Sequence, residues 1–171
     1  MISMRKTKEI DYKIIAELLK NSKLSDRSLA QKLGVSQPTV SRRRIILEKT
    51  VIDNYTLVPK WNKIGYEILA INFVKIKLAI ATDEKYKAVR ERGMKWLMQQ
   101  PNIIMGGASR GMGMDAFNIS IHKSYAEYDG WFRRFRGEWG DLVDDIQSVI
   151  VNLRGGEIIK PLNFKYLSEI T

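Results

Sequence analysis

The chain has 171 residues, enough for one or two domains, and 44% of them are hydrophobic, so ordinary cores can form. It contains no cysteine, which excludes disulfides and thiolate metal sites. The net charge is +10, and residues 1–66 contain 14 Lys and Arg against 6 Asp and Glu, a concentration of positive charge that indicates a polyanionic partner such as nucleic acid.

The first predicted element is a helix over residues 9–20, preceded by a basic arm over residues 1–8. The N-terminus is charged and lacks the apolar run and cleavage site of a secretory signal, so a cytoplasmic location is expected. The apolar residues of the helix recur at helical spacing and predict one buried face: Ile10, Ile14, Ile15, Leu18 and Leu19.

A helix, a tight turn and a second helix are predicted over residues 25–48. Ser25 is a favourable N-cap for the first helix, and Gly34 is a favourable end because glycine readily takes the left-handed conformation. Ser36 is placed to cap the second helix, with Pro38 in its first turn, where a missing N–H costs little. Three apolar residues of the second helix are predicted to face inward: Val40, Ile45 and Leu47.

The polar and basic residues of the second helix suit the major groove of DNA, where the N-terminal part of a recognition helix meets base edges. Gln and Arg side chains can form bidentate hydrogen bonds with adenine and guanine. A helical hairpin with a solvated basic face is the alternative, and a basic patch can also serve RNA or an anionic membrane. The arginine run favours duplex DNA. The candidate DNA contacts are Ser36, Gln37, Thr39, Ser41, Arg42, Arg43 and Arg44.

A small wing hairpin is predicted over residues 51–58, which are rich in β-forming residues and have Asp53 and Asn54 at their centre. A simple connecting strand is the alternative. Pro59 and Gly65 then bound a linker. The prediction is therefore a winged helix-turn-helix DNA-binding domain over residues 1–60 and a linker over residues 61–66.

The second half of the chain predicts a ferredoxin-like βαββαβ domain over residues 67–153, giving the α+β class. Its first strand is predicted over residues 68–80, a stretch too short and too polar to span a membrane. This order of elements leaves one face of the sheet bare of helices, so a homodimer through the sheet is expected. Residues 154–171 form an apolar tail that is expected to pack on the same sheet or on another subunit.

Several motifs together resemble the Lrp/AsnC (feast/famine) family of prokaryotic transcription regulators. The resemblance extends over about residues 9–153, nearly the whole chain. The matching motifs are Ile10-Asp11-x-x-Ile14-Ile15, Leu29-Ala30-x-x-Leu33-Gly34-Val35-Ser36, Arg42-Arg43, Leu47-Glu48, Val51-Ile52-x-x-Tyr55, and the final-strand residues Val143, Ile146, Ser148 and Val149-Ile150-Val151.

The resemblance implies a sequence-specific transcription regulator that binds double-stranded DNA as a homodimer or higher homo-oligomer and responds to an amino acid or other small effector. The family's effector loop reads roughly Gly-x-x-Asp between the two middle strands. This chain has Gly111-Met112-Gly113-Met114-Asp115, a spacing one residue longer. Thr50 also stands where the family usually has glycine before the wing. The effector-binding residues that the resemblance implies are Gly111, Met112 and Asp115.

Two other classes of function are considered. Some relatives of this family look like sirohaem decarboxylases, but that chemistry needs histidines near a tetrapyrrole, and this chain has a single histidine, His122, on a predicted strand. No catalytic residue, cofactor or metal site is expected, since no acid–base, nucleophile or ligand cluster stands out. A small-molecule sensor that does not bind DNA is the third reading, and the basic N-terminal half argues against it.

Overall fold

A computed structural model describes residues 8–77, 83–155 and 158–169. These residues form two compact units, divided after Val58 and again before Lys160. We call residues 8–58 with 160–169 the helical unit, and the described part of residues 59–159 the sheet unit. The C-terminal segment therefore belongs to the helical unit.

The described part of the helical unit contains three α-helices and a 3₁₀ helix, and that of the sheet unit contains four strands, two α-helices and a 3₁₀ helix. The elements of the helical unit are α1 (Glu9–Lys20), α2 (Asp26–Leu33), α3 (Gln37–Thr50) and a C-terminal 3₁₀ helix (Phe164–Glu169). Those of the sheet unit are a 3₁₀ helix (Trp61–Ile64), β1 (Ile68–Ile76), α4 (Asp83–Gln99), β2 (Ile103–Gly111), β3 (Met114–His122), α5 (Tyr125–Trp139) and β4 (Val143–Asn152).

The helix-turn-helix forms as the sequence predicts, with one cap and one core residue placed differently. Ser25 Oγ accepts the Ser28 N–H, and Gly34 ends α2 with φ +65°. Ser36 makes no side-chain cap bond to the backbone; its Oγ lies 2.8 Å from Thr39 Oγ1 instead. The inward position predicted for Ile45 is wrong, since Ile45 is 53% exposed. It is two residues from buried Leu47, and residues two apart on a helix face opposite sides. The buried core of the helical unit consists of Ile14, Leu18, Leu29, Ala30, Val40 and Leu47.

The wing hairpin predicted over residues 51–58 is absent, since residues 52–60 form neither helix nor strand. No described strand pairs with this segment, and an isolated two-stranded hairpin is only marginally stable. Side chains hold the segment to the helices instead. Ile52 packs against the helical core, and the Tyr55 hydroxyl donates to Glu48 Oε1 at 2.8 Å.

The four strands form one antiparallel sheet in the order β2-β3-β1-β4. This arrangement confirms the predicted ferredoxin-like α+β architecture. Strand β1 ends at Ile76, earlier than predicted, and residues 78–80 lie outside the described part of the chain. The C-terminal 3₁₀ helix contacts α1 within the helical unit, whereas the sequence led us to expect this segment on the sheet or on another subunit.

Helices α4 and α5 cover one face of the sheet with aromatic side chains. Gly106 on β2 allows a close approach, since a Cβ there would lie 3.2 Å from Leu97 Cδ2 on α4. The residues of this core include Ala70, Val74, Trp96, Tyr128, Trp131, Phe135 and Trp139. The opposite face carries no described helix, and its residues Met105 and Val149 are 58% and 53% exposed.

Candidate nucleic-acid interface

The N-terminal half of α3 presents a short polar surface. Ser36, Gln37 and Arg42 are exposed, and Thr39 is partly exposed. Arg42 makes no ion pair or hydrogen bond with any residue that the structure describes. Val40, between Thr39 and Arg42 in the sequence, is buried in the core of the helical unit and anchors the helix there. These four polar side chains remain available to a ligand, and we call them the open edge of α3.

Arg43 points away from the open edge and binds Asp11 on α1. Its Nε donates to Asp11 Oδ1 at 2.6 Å, and its Nη2 donates to Oδ2. The backbone N–H of Lys8 donates to the same carboxylate at 2.8 Å. Asp11 is 1% exposed and the Arg43 side chain 13% exposed. The guanidinium therefore joins α3 to α1 within the core.

The Asp11–Arg43 pair is held in its charged form. Burial raises the pKa of the Asp11 carboxyl, but the hydrogen bonds from Arg43 and the Lys8 backbone, with the charge on Arg43, outweigh burial and bring the pKa below its ordinary value. The hydrogen bond from Asp11 likewise raises the pKa of Arg43. An ion pair of this kind orients α3, because any rotation of the helix would separate two buried charges.

Arg44 is also committed to contacts within the helical unit. Its Nη1 donates to the Leu24 carbonyl oxygen at 3.0 Å and to Asp26 Oδ1 at 3.1 Å. Its Nε donates to Tyr55 and to Glu48. Ser41 Oγ donates to the other oxygen of Asp26 at 2.6 Å. Ser41 and Arg44 thus join α3 to the start of α2.

The structure therefore separates the seven predicted DNA contacts into two groups. The open edge contains Ser36, Gln37, Thr39 and Arg42, while Ser41, Arg43 and Arg44 hold the helices together. A signal for Arg43 was present in the sequence. Val40, Arg43 and Leu47 follow helical spacing, so an arginine flanked by two core positions needs a buried anion as its partner.

The predicted effector residues lie at the turn between β2 and β3. Gly111 pairs with Met114, and the two residues between them, Met112 and Gly113, have φ values of +52° and +71°. The Met112 side chain is 76% exposed. Asp115 Oδ2 accepts the Ile76 N–H at 2.8 Å, so one carboxylate oxygen is occupied at the end of β1. Gly111 and Met112 remain open to a ligand.

His122 is a packed residue of the sheet unit. It is 0% exposed, and its Nε2 lies 2.9 Å from Ser120 Oγ. Burial lowers the pKa of its imidazole. Within the described ranges, no three His, Asp or Glu side chains cluster closely enough to hold a metal ion. Nor is any described helix sufficiently long and apolar to cross a membrane.

The helix-turn-helix of this chain is similar to a known family of domains. The AsnC-type helix-turn-helix domain family matches residues 9–48. An uncharacterized HTH-type transcriptional regulator of Pyrococcus furiosus is 33% identical over 88 residues, which are 51% of this chain and 57% of that protein. The leucine-responsive regulatory protein of Rhizobium meliloti is 30% identical over 101 residues, 58% of this chain and 64% of that protein. The chain thus spans less than two thirds of these curated relatives.

Solved structures share the fold along nearly the whole chain. An AsnC family transcriptional regulator of Agrobacterium tumefaciens has a TM-score of 0.75 at 21% identity, over 94% of this chain and 99% of that one. A Neisseria meningitidis transcriptional regulator, solved as its complex with L-Met, has a TM-score of 0.74 at 21% identity, over 95% and 99% of the two chains. The family model therefore bears out the resemblance over the helix-turn-helix, and the solved structures show the same fold along the rest of the chain.

Proposed function

From its AsnC-type helix-turn-helix domain and its Lrp/AsnC fold, we propose that this chain is a sequence-specific transcription regulator that binds double-stranded DNA. The observation that carries the proposal is the open edge of α3, where Gln37 and Arg42 are exposed and bond to no described residue, on a helix that Val40 and Leu47 anchor in a core. The second helix of a helix-turn-helix places such residues against base edges in the major groove.

Within this proposal, the residues of α3 have two roles. Gln37, Thr39 and Arg42 contact bases or phosphates, and Ser36 contacts the backbone beside them. Arg43, Arg44 and Ser41 position the helix through Asp11 and Asp26. This division assigns recognition to the side chains that form no bond to another helix. Arg42 supplies the positive charge that a phosphate contact requires.

Fluorescence anisotropy with duplex DNA tests the proposal. We expect the protein to bind the DNA upstream of its own gene more tightly than random duplex, and the preference to survive an increase in salt, because direct base contacts depend less on salt than phosphate contacts do. Equal affinity for both duplexes, lost together as salt rises, would show binding without sequence specificity. Absence of binding to either duplex would refute the proposal.

The bare face of the sheet supports a homodimer. Apolar side chains project from it, including the exposed Met105 and Val149. An exposed apolar patch of this kind marks a protein–protein interface, and a symmetric pair of sheets would cover it with the same surface from a second copy. We therefore propose that two copies pair through this face, which supplies the two recognition helices that a near-palindromic site requires.

Val149→Glu tests the dimer. A carboxylate within an apolar interface loses its hydration without gaining a partner, so we expect the variant to be monomeric at concentrations where the wild type is dimeric. Sedimentation velocity measures the mass directly. Tyr125→Glu is the control, since Tyr125 is exposed on α5, on the helical side of the sheet. A Val149→Glu dimer as stable as that of the control would place the interface elsewhere.

We also propose that a small effector binds at the turn between β2 and β3, at Gly111, Met112 and Asp115. The exposed Met112 side chain and the open turn support this position. The Neisseria meningitidis neighbour forms a complex with L-Met, so amino acids are the first compounds to test. Adding L-Met or L-Leu to the anisotropy titration should change the affinity for DNA if effector binding and DNA binding are linked.

A further inference from the structure

A cleft of about 310 Å³ opens between α4 and the helical face of the sheet. Its walls are mostly aromatic and aliphatic, with Trp96, Leu97, Phe135 and Trp139 among them. Part of the space exists because β2 presents small residues to this face of the sheet, Gly106 and Ala108. The volume lies at the lower end of the range for small-molecule sites, which are typically apolar with a few polar groups.

The polar side chains of the cleft include one cation that has no internal partner. Arg90 lines the cleft and is exposed, and its guanidinium makes no ion pair or hydrogen bond with any described residue. Arg92, two residues further along α4, differs: its Nη2 donates to the Glu138 carbonyl oxygen at 3.2 Å, and its guanidinium lies over the Trp139 ring. Arg90 is therefore the guanidinium available to a ligand.

The other polar groups also favour an anion that carries an apolar body. Tyr86 lines the cleft with a hydroxyl that bonds to no described residue, so it can donate beside Arg90. Asp115 lines the cleft as well, but its Oδ2 accepts the Ile76 N–H. The two donors without partners, Arg90 and Tyr86, can bind a single negative group. Asp115 uses one carboxylate oxygen within the protein and disfavours a second negative group beside it.

We propose that the α4 cleft binds a small carboxylic acid with an aromatic or branched apolar body. The apolar part lies against Trp96, Phe135 and Trp139, and the carboxylate accepts hydrogen bonds from Arg90. Arginine holds a carboxylate through two parallel N–H donors, a strong and geometrically specific contact. The cleft shares Asp115 with the proposed effector turn but includes neither Gly111 nor Met112. Binding in the cleft requires neither DNA nor a second subunit.

Isothermal titration calorimetry of the full chain with phenylacetate, in the absence of DNA, tests the proposal. We expect saturable binding, weakened about tenfold in Arg90→Gln, because a hydrogen bond to a charged group is lost. Phenylacetamide is the neutral probe of the same shape. It should bind more weakly than phenylacetate, and its affinity should differ by less than about twofold between the wild type and Arg90→Gln. Lys87→Gln is the matched control, since it removes one exposed charge from α4 outside the cleft.

A second variant tests the location. A Cβ at Gly93 would meet Trp139 Cη2 at 3.9 Å, an ordinary contact, so a larger residue there extends into the cleft. Gly93→Leu should abolish binding of both probes while the circular dichroism spectrum remains that of the wild type. Failure of phenylacetate to bind the wild type, or equal affinity in wild type and Arg90→Gln, would overturn the proposal. Neither result bears on DNA binding.

Discussion

Asp11→Ala is expected to lower the free energy of unfolding of the helical unit by about 3 to 5 kcal/mol, because it leaves the Arg43 guanidinium without its partner in a buried position. Asp11 is 1% exposed and accepts hydrogen bonds from Arg43 and from the Lys8 backbone. Hydrogen exchange measured by mass spectrometry over α1 and α3 reports on this unit separately from the sheet unit.

Two variants control for the loss of a carboxylate and for the loss of the pair. Glu9→Ala removes a carboxylate from the same helix, but its ion pair with Lys13 is exposed, so little change is expected. Asp11→Ala combined with Arg43→Met should recover part of the lost stability, since no unpaired charge remains. If α1 and α3 are protected from hydrogen exchange equally in Asp11→Ala and in Glu9→Ala, the Asp11–Arg43 pair has no structural role.

The Asp11–Arg43 pair is also expected to make the stability of the helical unit depend on pH. The pKa of Asp11 is lower in the folded chain than its ordinary value of 3.8, so its contribution to stability is present above that value. The contribution is lost as the pH falls from 3.8 through the lowered folded pKa. Asp11→Asn should therefore lose less stability than the wild type on acidification. Parallel denaturation curves for the two proteins across this range would refute the assignment.

Replacing both Gln37 and Arg42 with alanine is expected to weaken binding to the preferred DNA about 100-fold, because each bidentate base contact contributes roughly 1 to 3 kcal/mol of discrimination. Arg42 also carries a charge, so the slope of log affinity against log salt should fall by about one if it neutralises a phosphate. Both side chains are exposed and Arg42 has no described partner, so stability should not change. Anisotropy at several salt concentrations measures both quantities.

Arg133→Ala is the matched control for this double variant. It removes an exposed arginine from α5 in the sheet unit, where Arg133 pairs with Asp129. Its DNA affinity and salt slope should remain close to those of the wild type. Arg43→Ala should differ from both the double variant and Arg133→Ala. It disrupts the pair with Asp11, so it should lower stability together with the affinity for DNA. If the double variant binds DNA with wild-type affinity, the open edge of α3 is not part of the proposed interface.

The sequence by itself determined the order and type of the main elements. Helical spacing of apolar residues placed α1, and local cap and turn residues such as Ser25 and Gly34 placed the helix-turn-helix. The alternation of strands and helices predicted the ferredoxin-like sheet that the structure contains. These features depend on residues within a few positions of one another, which is the range over which backbone propensity and periodicity act.

The tertiary structure alone decided which carboxylates bind the arginines of α3. Arg43 bonds to Asp11, which lies 32 residues earlier in the chain, and Arg44 bonds to Asp26, 18 residues earlier. A hydrogen bond over such a distance depends on how the helices pack, and local spacing does not describe that packing. The same reason explains the missing wing, because a strand forms only where packing supplies a neighbour to complete its hydrogen bonds.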